Sequence, residues 1–137
     1  METLAKCEVR FTTWITVNHI YKITVRNEKP IVYKTSKARK FQRTIAKLIN
    51  QNANFEKIEK IKENGHGDII VLLKYYFPDK RRRDTNNLIK IIADGIEKGI
   101  GIDDSRFLIR EMSKKIDREN PRIEIEITYQ DNQEEQD

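Results

Sequence analysis

The residues best suited to chemistry in this sequence lie between positions 81 and 104. Three arginines, Arg81–Arg83, precede Asp84, and Lys90, Asp94 and Asp103–Asp104 follow within about two dozen positions. Carboxylate oxygens are ligands that Mg²⁺ prefers in proteins. A bound metal ion and a lysine can both stabilise the negative charge that builds on phosphorus during phosphodiester cleavage. The segment therefore has the residue types that work on phosphodiesters requires.

Purely structural roles would also fit several of these residues. Asp84 could cap the N-terminus of a helix, with Asn86 and Asn87 in its first turn. Lys90 could be a solvated helix lysine or pair with Asp94 four residues later, although base before acid is the less favourable order. The three arginines argue against a simple cap, because cations at a helix N-terminus oppose its macrodipole. Their position is better explained if a phosphate, or carboxylates that hold a metal, lie there too.

The segment resembles the signature of the RusA-type crossover junction endodeoxyribonucleases, which resolve Holliday junctions. That signature contains Arg-Asp-x-Asp-Asn-x-x-Lys after a basic residue, then a helical Asp, and then Asp-Asp after a hydrophobic residue. The matching residues here are Arg83-Asp84-Thr85-Asn86-Asn87-Leu88-Ile89-Lys90, then Asp94, then Ile102-Asp103-Asp104. One position departs: Asn86 stands where the family has its second aspartate. The resemblance is strongest over residues 81–107 and extends more weakly to 16–19, 33–38 and the C-terminal strands.

The resemblance implies a site in which catalytic and metal-binding residues overlap. Its catalytic residues would be Asp84, Lys90 and Asp104. Its Mg²⁺ ligands would be Asp84, Asn86, Asp103 and Asp104, and the residues that support them would be Asn87 and Asp94. From the residues alone, the adjacent acids Asp103–Asp104 could equally form a plain turn.

The implied function is a structure-selective endodeoxyribonuclease that resolves four-way DNA junctions in recombination and repair by Mg²⁺-dependent hydrolysis. The resemblance also implies a homodimer, since two sites would cut two strands and a two-fold dimer matches a two-fold junction. It suggests a bacterial protein of phage or prophage origin. Because Asn86 replaces a carboxylate, the alternative is a junction-binding or DNA-binding protein of the same fold with impaired catalysis. A third hypothesis is an interaction protein whose basic residues bind an acidic partner.

The length of 137 residues predicts one domain over residues 1–129, followed by an acidic, disordered tail over 130–137. The expected fold is α+β, with a mixed β-sheet and two main helices packed on it, as in RusA. The predicted strands are 7–17, 20–25, 31–33, 68–77, a strand from just after 104 to 116, and 122–129. The predicted helices are 36–50, 54–63 and 85–98. We expect 68–77 to be a central strand covered on both faces, and the last two strands to pair as an antiparallel hairpin.

Two of these helices carry the predicted functional surfaces. Helix 85–98 has a buried face formed by Leu88, Ile91, Ile92, Gly95 and Ile96. Its other stripe is polar and contains Asn87, Lys90 and Asp94. Helix 36–50 has a basic face formed by Lys37, Arg39, Lys40, Arg43 and Lys47. Any one of these bases could simply be solvated, but as a group with Arg81–Arg83 they are a candidate surface for the DNA backbone.

Charge and composition favour a nucleic-acid partner. The net charge is +5, and it rises to +9 (27 basic against 18 acidic residues) without the last eight residues, which hold four acids and no base. A basic body favours a polyanion, although a generic basic surface would have the same composition. The single cysteine, Cys7, excludes an intramolecular disulfide, and the sequence has no zinc-ligand spacing, P-loop or nucleophile elbow. With no signal-peptide core and no apolar run near the ~20 residues of a membrane span, we expect a cytoplasmic protein without membrane contact.

Binding to DNA should depend strongly on salt, because a body of charge +9 contacts the phosphate backbone before it contacts bases. If six or more phosphates are contacted, the affinity falls by ~10³ or more between about 50 and 200 mM salt. Replacing Arg81, Arg82 and Arg83 with Ala should weaken binding to every DNA shape and reduce the salt slope. Fluorescence anisotropy with a labelled junction and a labelled duplex measures both effects. A slope near zero for the unmodified protein would contradict a nucleic-acid partner.

Overall fold

A computed structural model describes residues 1–11, 21–26, 29–34, 36–81 and 85–131 of the chain. Within these ranges the strands are β1 (Glu2–Arg10), β2 (Tyr21–Arg26), β3 (Lys29–Lys34), β4 (Asp68–Phe77), β5 (Phe107–Ile116) and β6 (Arg122–Gln130). The helices are α1 (Ser36–Asn52), α2 (Phe55–Asn64) and α3 (Asn86–Ile100). A single 3-10 turn (Asp104–Arg106) leads into β5.

Four strands form a mixed sheet in the order β1, β6, β4, β5. β4 pairs in parallel with β5 and antiparallel with β6, and β6 pairs antiparallel with β1. β2 and β3 form a separate antiparallel pair and overlap the predicted strands 20–25 and 31–33. Parallel neighbours need a long crossover, which α3 provides between β4 and β5. The predicted α+β fold with a mixed sheet is confirmed.

The predicted hairpin of the last two strands is wrong, because β4 lies between β5 and β6. The backbone N–H of Asp117 donates to the carbonyl oxygen of Phe77 at 2.8 Å, so the chain passes the end of β4 before β6 begins. The Asp117 carboxylate also accepts from Arg122 Nη1 at 2.8 Å. β5 and β6, which a short turn joins, therefore lie on either side of β4. Each of them pairs with β4 and not with the other.

The core lies on one face of the sheet. Alternate residues of β4 over Ile69–Phe77 are buried, as are three isoleucines of β6. All three helices contribute to the same apolar cluster. On the other face Ile70 is buried, Leu72 and Tyr76 are half-buried and Lys74 is exposed, so the expectation that β4 is covered on both faces holds only in part. The described helices pack into one layer, which explains why the second face is less covered.

α1 and α3 pack closely because α3 presents glycines to α1. A Cβ atom added at Gly95 would lie 2.8 Å from Ile45 Cγ2 and 3.1 Å from the carbonyl oxygen of Gln42. A Cβ atom at Gly99 would lie 2.9 Å from the carbonyl oxygen of Ala46. The buried face predicted for α3 is confirmed, and all five basic side chains predicted on α1 are exposed.

Some element boundaries differ from those predicted. β1 begins at Glu2 rather than at residue 7, and residues 12–17 of the predicted strand lie outside the described residues. α3 continues through Gly99 and ends at Ile100, two residues beyond the predicted end at residue 98, and Gly101 caps it. Gly101 has φ 75°, a left-handed conformation that glycine adopts without steric cost.

The predicted tail falls largely outside the described residues, but Gln130 still belongs to β6. α2 buries Ile58 and Ile61 against the core. Among the described helices, none is long and apolar enough to cross a membrane.

Gly95→Ala should destabilise the fold through the α1–α3 contact. Alanine is favoured over glycine in a helix by roughly 1 kcal/mol, but the added methyl group would meet Ile45 at 2.8 Å. Overpacking of a core typically costs ~1–3 kcal/mol, so we expect a net loss in the free energy of unfolding, measured by urea denaturation. Lys98→Ala, on the exposed side of the same helix, is the control and should stay within about 0.5 kcal/mol of the unmodified protein. A stabilised Gly95→Ala protein would show that the helices can separate at no cost.

Candidate active site

The acidic residues of the segment converge where the chain leaves α3. Asp94 and Glu97 lie three residues apart on one stripe of α3, and both are half-buried. Gly101 then reverses the chain, with its N–H donating to the carbonyl oxygen of Glu97 at 2.8 Å. The backbone N–H of Asp104 donates to Glu97 Oε1 at 2.9 Å. These hydrogen bonds bring Asp103 and Asp104 back against the helix.

The 3-10 turn orients the two adjacent aspartates differently. Asp103 caps the turn, since its Oδ1 accepts from the backbone N–H of Ser105 at 2.8 Å. Hydrogen bonds to Ser105 lower the pKa of Asp103 below its usual value. Asp104 is half-buried and faces the acids of α3. Arg106 holds the end of the turn, because its Nη2 donates to the carbonyl oxygen of Gly65 at 3.2 Å.

Three carboxylates come close enough to share one cation. Oxygen atoms of Glu97, Asp103 and Asp104 all lie within 4.8 Å of one another. A set of carboxylate oxygens suits a hard divalent cation such as Mg²⁺ rather than a soft one. Exposed acids often cluster without a metal, so proximity by itself does not establish a site.

The electrostatics of Asp104 add a second observation. Partial burial raises the pKa of Asp104, and the charges of Glu97, Asp94 and Asp103 raise it further. A hydrogen bond with the Asp94 carboxyl acts in the same direction. Negative charge is therefore crowded at Asp104, and a bound cation would relieve the repulsion. The residues present fit a divalent cation on both geometry and charge.

The structure brings together Asp94, Asp103 and Asp104 from the predicted set and adds Glu97, which the sequence analysis missed. The sequence contained a signal for Glu97, because Glu97 continues the predicted polar stripe of the helix about one turn beyond Asp94. Asn86 is the first residue of α3 and is exposed. Eight residues at 1.5 Å each place it about 12 Å from Asp94 along the helix axis.

The remaining predicted site residues divide into three groups. Asn87 and Lys90 are exposed on the N-terminal half of α3, and Lys90 lies about one turn before Asp94. Arg82, Arg83 and Asp84 lie outside the described residues. Metal coordination by Asp84 and Asn86 stays a prediction. The residue that caps α3 is Thr85, and its side chain makes no capping hydrogen bond.

Basic side chains line two clefts in the described part of the chain. One, of about 240 Å³, is lined by Arg39, Gln42, Arg43 and Lys98 where α1 meets α3. Another, of about 290 Å³, is lined by Phe77, Asp79, Lys80, Arg81, Lys114, Lys115 and Ile116. The basic surface predicted on α1 therefore continues onto α3 at Lys98. Lys114 and Lys115 were not among the predicted DNA-binding residues, because their strand was expected to pair with β6 rather than with β4.

Convergent carboxylates can hold a cation and basic clefts can bind phosphates, so the chain has the features of a class of protein that acts on nucleic acids. The family described as Endodeoxyribonuclease RusA matches residues 16–128 of the sequence. The chain therefore belongs to the RusA endodeoxyribonuclease family, whose members resolve Holliday junctions, and the resemblance found in the motif is confirmed. A search of curated proteins finds no match to the chain.

Asp104→Asn should raise the melting temperature of the metal-free protein at neutral pH. The folded state holds the Asp104 proton more tightly than the unfolded chain, because the pKa is raised. That stabilising contribution is lost as the pH rises through the raised pKa, so the ionised group destabilises the fold at neutral pH. Thermal denaturation in EDTA, at neutral pH and in mild acid, should show a higher melting temperature and a smaller pH dependence for Asp104→Asn.

Asp117→Asn is the matched control with the opposite sign. Hydrogen bonds from the backbone of Asn120 and from Arg122 lower the pKa of Asp117. Its contribution is present above the unfolded pKa and is lost as the pH falls through the folded value. Asp117→Asn should therefore lower the melting temperature at neutral pH. If both variants shifted in the same direction, the account of Asp104 would be wrong.

Proposed function

We propose that this chain cuts four-way DNA junctions by Mg²⁺-dependent phosphodiester hydrolysis and resolves them. Endodeoxyribonuclease activity follows from membership of the RusA family, and the dependence on Mg²⁺ is our extension. The observation that carries it is the convergence of Glu97, Asp103 and Asp104 oxygens within 4.8 Å, inside the matched residues 16–128. The crowded charge at Asp104 supports a cation at the same place.

The proposed ligands of one Mg²⁺ are Asp104, Asp103 and Glu97. Asn86 begins α3 about 12 Å from Asp94 along the helix axis, so we propose that the sequence-predicted Asp84 and Asn86 would hold a second cation. When bound, Mg²⁺ supplies a Lewis acid for a phosphoryl oxygen and favours ionisation of a bound water. In the proposed reaction, water attacks phosphorus, the bond from phosphorus to the 3′-oxygen breaks, and that oxygen leaves with a proton. Lys90 is exposed one turn from Asp94, where its ammonium group would meet the phosphate and stabilise the developing charge.

The basic residues would bind the DNA arms. Arg39, Arg43 and Lys98 converge on one cleft, and Lys80, Arg81, Lys114 and Lys115 on another. Basic side chains contact phosphates whatever the DNA sequence, so these residues would position the junction rather than select a cleavage sequence. The exposed Lys37 and Lys40 would extend the surface along α1.

We also propose that the active species is a homodimer, because symmetrical resolution requires two cuts and a two-fold protein presents two equivalent sites. β5 is at the edge of the described sheet and exposes Leu108 and Met112, at 44% and 55%. An edge strand with exposed apolar side chains is a surface that a second copy would cover. Sedimentation equilibrium of the unmodified protein tests the oligomeric state. Bacterial phage origin and cytoplasmic location remain predictions.

The alternative is a junction-binding protein of the same fold with impaired catalysis, and Asn86 is the feature that favours it. An amide oxygen can ligate Mg²⁺ but lacks the charge of a carboxylate. We expect the unmodified protein to bind junctions and to need more Mg²⁺ for cleavage than Asn86→Asp, which should also cut faster. The measurement is nicking of a mobile four-way junction over a Mg²⁺ titration.

Two variants control this experiment. Asn64→Asp makes the same charge change at the end of α2, where it should alter neither rate nor Mg²⁺ requirement. Lys90→Ala should bind junctions normally and cut ~10²-fold more slowly, the usual cost of losing one preorganised electrostatic contact. If no variant cuts junctions but all bind them, the alternative holds. If junctions bind no better than duplex, both interpretations fail.

A further inference from the structure

One polar contact outside the acidic cluster lies at the head of the motif, by which we mean Thr85 and Asn86 at the start of α3. Thr85 is 3% exposed, and its Oγ1 donates to Glu111 Oε2 at 2.6 Å. Glu111 belongs to β5, so this hydrogen bond joins the start of α3 to the strand that follows the motif. A hydrogen bond to an ionised carboxylate is shorter and stronger than a neutral one.

This contact overrides the local preference of Thr85. A threonine at the N-cap usually accepts a hydrogen bond from a backbone N–H in the first turn of its helix. Thr85 makes no such capping bond and donates to Glu111 instead. The first turn of α3 has no acidic residue. Glu111 therefore also places a carboxylate at the positive end of this helix.

The buried hydroxyl of Tyr75 lies in the same place. Tyr75 is 0% exposed, and its hydroxyl has no hydrogen-bond partner of good geometry among the described residues. Burial and the nearby Glu111 carboxylate raise the pKa of Tyr75. Two buried side chains, from β4 and from the start of α3, thus have hydroxyls beside one carboxylate of β5.

We propose that Glu111 is a positioning residue for the head of the motif, acting through its hydrogen bond to Thr85. Thr85 directly precedes Asn86, a proposed ligand, so fixing Thr85 restricts the first turn of α3 from which Asn86 projects. The inference rests on the proposed function and adds a residue that lies outside the motif.

β5 makes this role geometrically reasonable, because it spans both ends of the site. It begins at Phe107, three residues after Asp104, and Glu111 lies four residues further on. Three residues of 3-10 turn at ~2.0 Å each and four of strand at ~3.3 Å each place Glu111 roughly 19 Å from Asp104. The matching separation on α3, the twelve residues from Thr85 to Glu97, is about 18 Å. Helix and strand therefore run side by side, joined at one end by Asp104 and Glu97 and at the other by Thr85 and Glu111.

The test uses the full chain and two independent measurements. Calorimetry with Mn²⁺ measures cation binding to the free protein, and single-turnover cleavage of a junction measures the reaction. Thr85→Val and Glu111→Ala should each weaken Mn²⁺ binding about tenfold, the typical loss when a residue that orients ligands is removed. The double variant should be no weaker than either single variant, because both remove the same hydrogen bond. All variants are compared below their melting temperatures, so that a loss of folded protein is not mistaken for weaker binding.

Three conservative variants serve as controls. Thr85→Ser keeps the hydroxyl, and Glu111→Gln keeps an oxygen that can accept from Thr85, so both should bind Mn²⁺ within about threefold of the unmodified protein. Tyr75→Phe removes a hydroxyl from the same place without touching the Thr85–Glu111 hydrogen bond, and should change neither measurement.

The outcomes separate this inference from the proposed function. Normal Mn²⁺ binding by folded Thr85→Val, or additive losses in the double variant, would overturn the positioning role alone. Equal damage from Glu111→Gln and Glu111→Ala would also overturn it, because charge rather than the hydrogen bond would then matter. Absence of both Mn²⁺ binding and cleavage in the unmodified protein would overturn the proposed function as well.

Discussion

Parallel pairing of β4 with β5 is the constraint on which the site depends. The chain must return along the sheet between these strands, and α3 makes that return. Because α3 packs on α1 through Gly95 and Gly99, its buried face cannot rotate, and its polar stripe is fixed on the other side. The left-handed Gly101 then turns the chain back, so Asp104 meets the stripe at Glu97. The acidic cluster is thus a consequence of the crossover.

The same arrangement places like charges together at a cost in stability. Asp94, Glu97, Asp103 and Asp104 would be easier to hold apart, and the raised pKa of Asp104 expresses their repulsion. Hydrogen bonds from backbone N–H groups hold the site together despite the repulsion, as at Glu97 and Asp103. Strain of this kind persists when the surrounding core is rigid, and a cation supplied by the solvent would remove it. Arg39, Arg43 and Lys98 line a basic cleft, and Lys98 follows Glu97 in the chain, so positive charge near the site favours a polyanion that carboxylates alone would repel.

Sequence periodicity predicted the local features and failed on the non-local ones. The buried face of α3 and the exposed bases of α1 follow from helical spacing alone, and both were confirmed. The pairing of β5 with β4 is not encoded in the turn after β5, so a hairpin with β6 was the natural and wrong expectation. Glu97 could have been found by extending the stripe from Asp94. The Thr85–Glu111 hydrogen bond could not, because it joins residues 26 apart in sequence on different elements.

The replacement of the family's aspartate by Asn86 changes the charge only near the N-terminal end of α3. Asn86 lies about 12 Å along α3 from Asp94, so its amide removes no charge from the cluster of Glu97, Asp103 and Asp104. A cation held by that cluster would be insensitive to position 86. A cation held at the head of the motif would depend on it, and also on the segment that Thr85 and Glu111 fix. The effect of residue 86 on cleavage therefore reports which end of α3 the reacting phosphate occupies. The motif alone does not distinguish the two ends, because only the positions of its residues along the helix separate them.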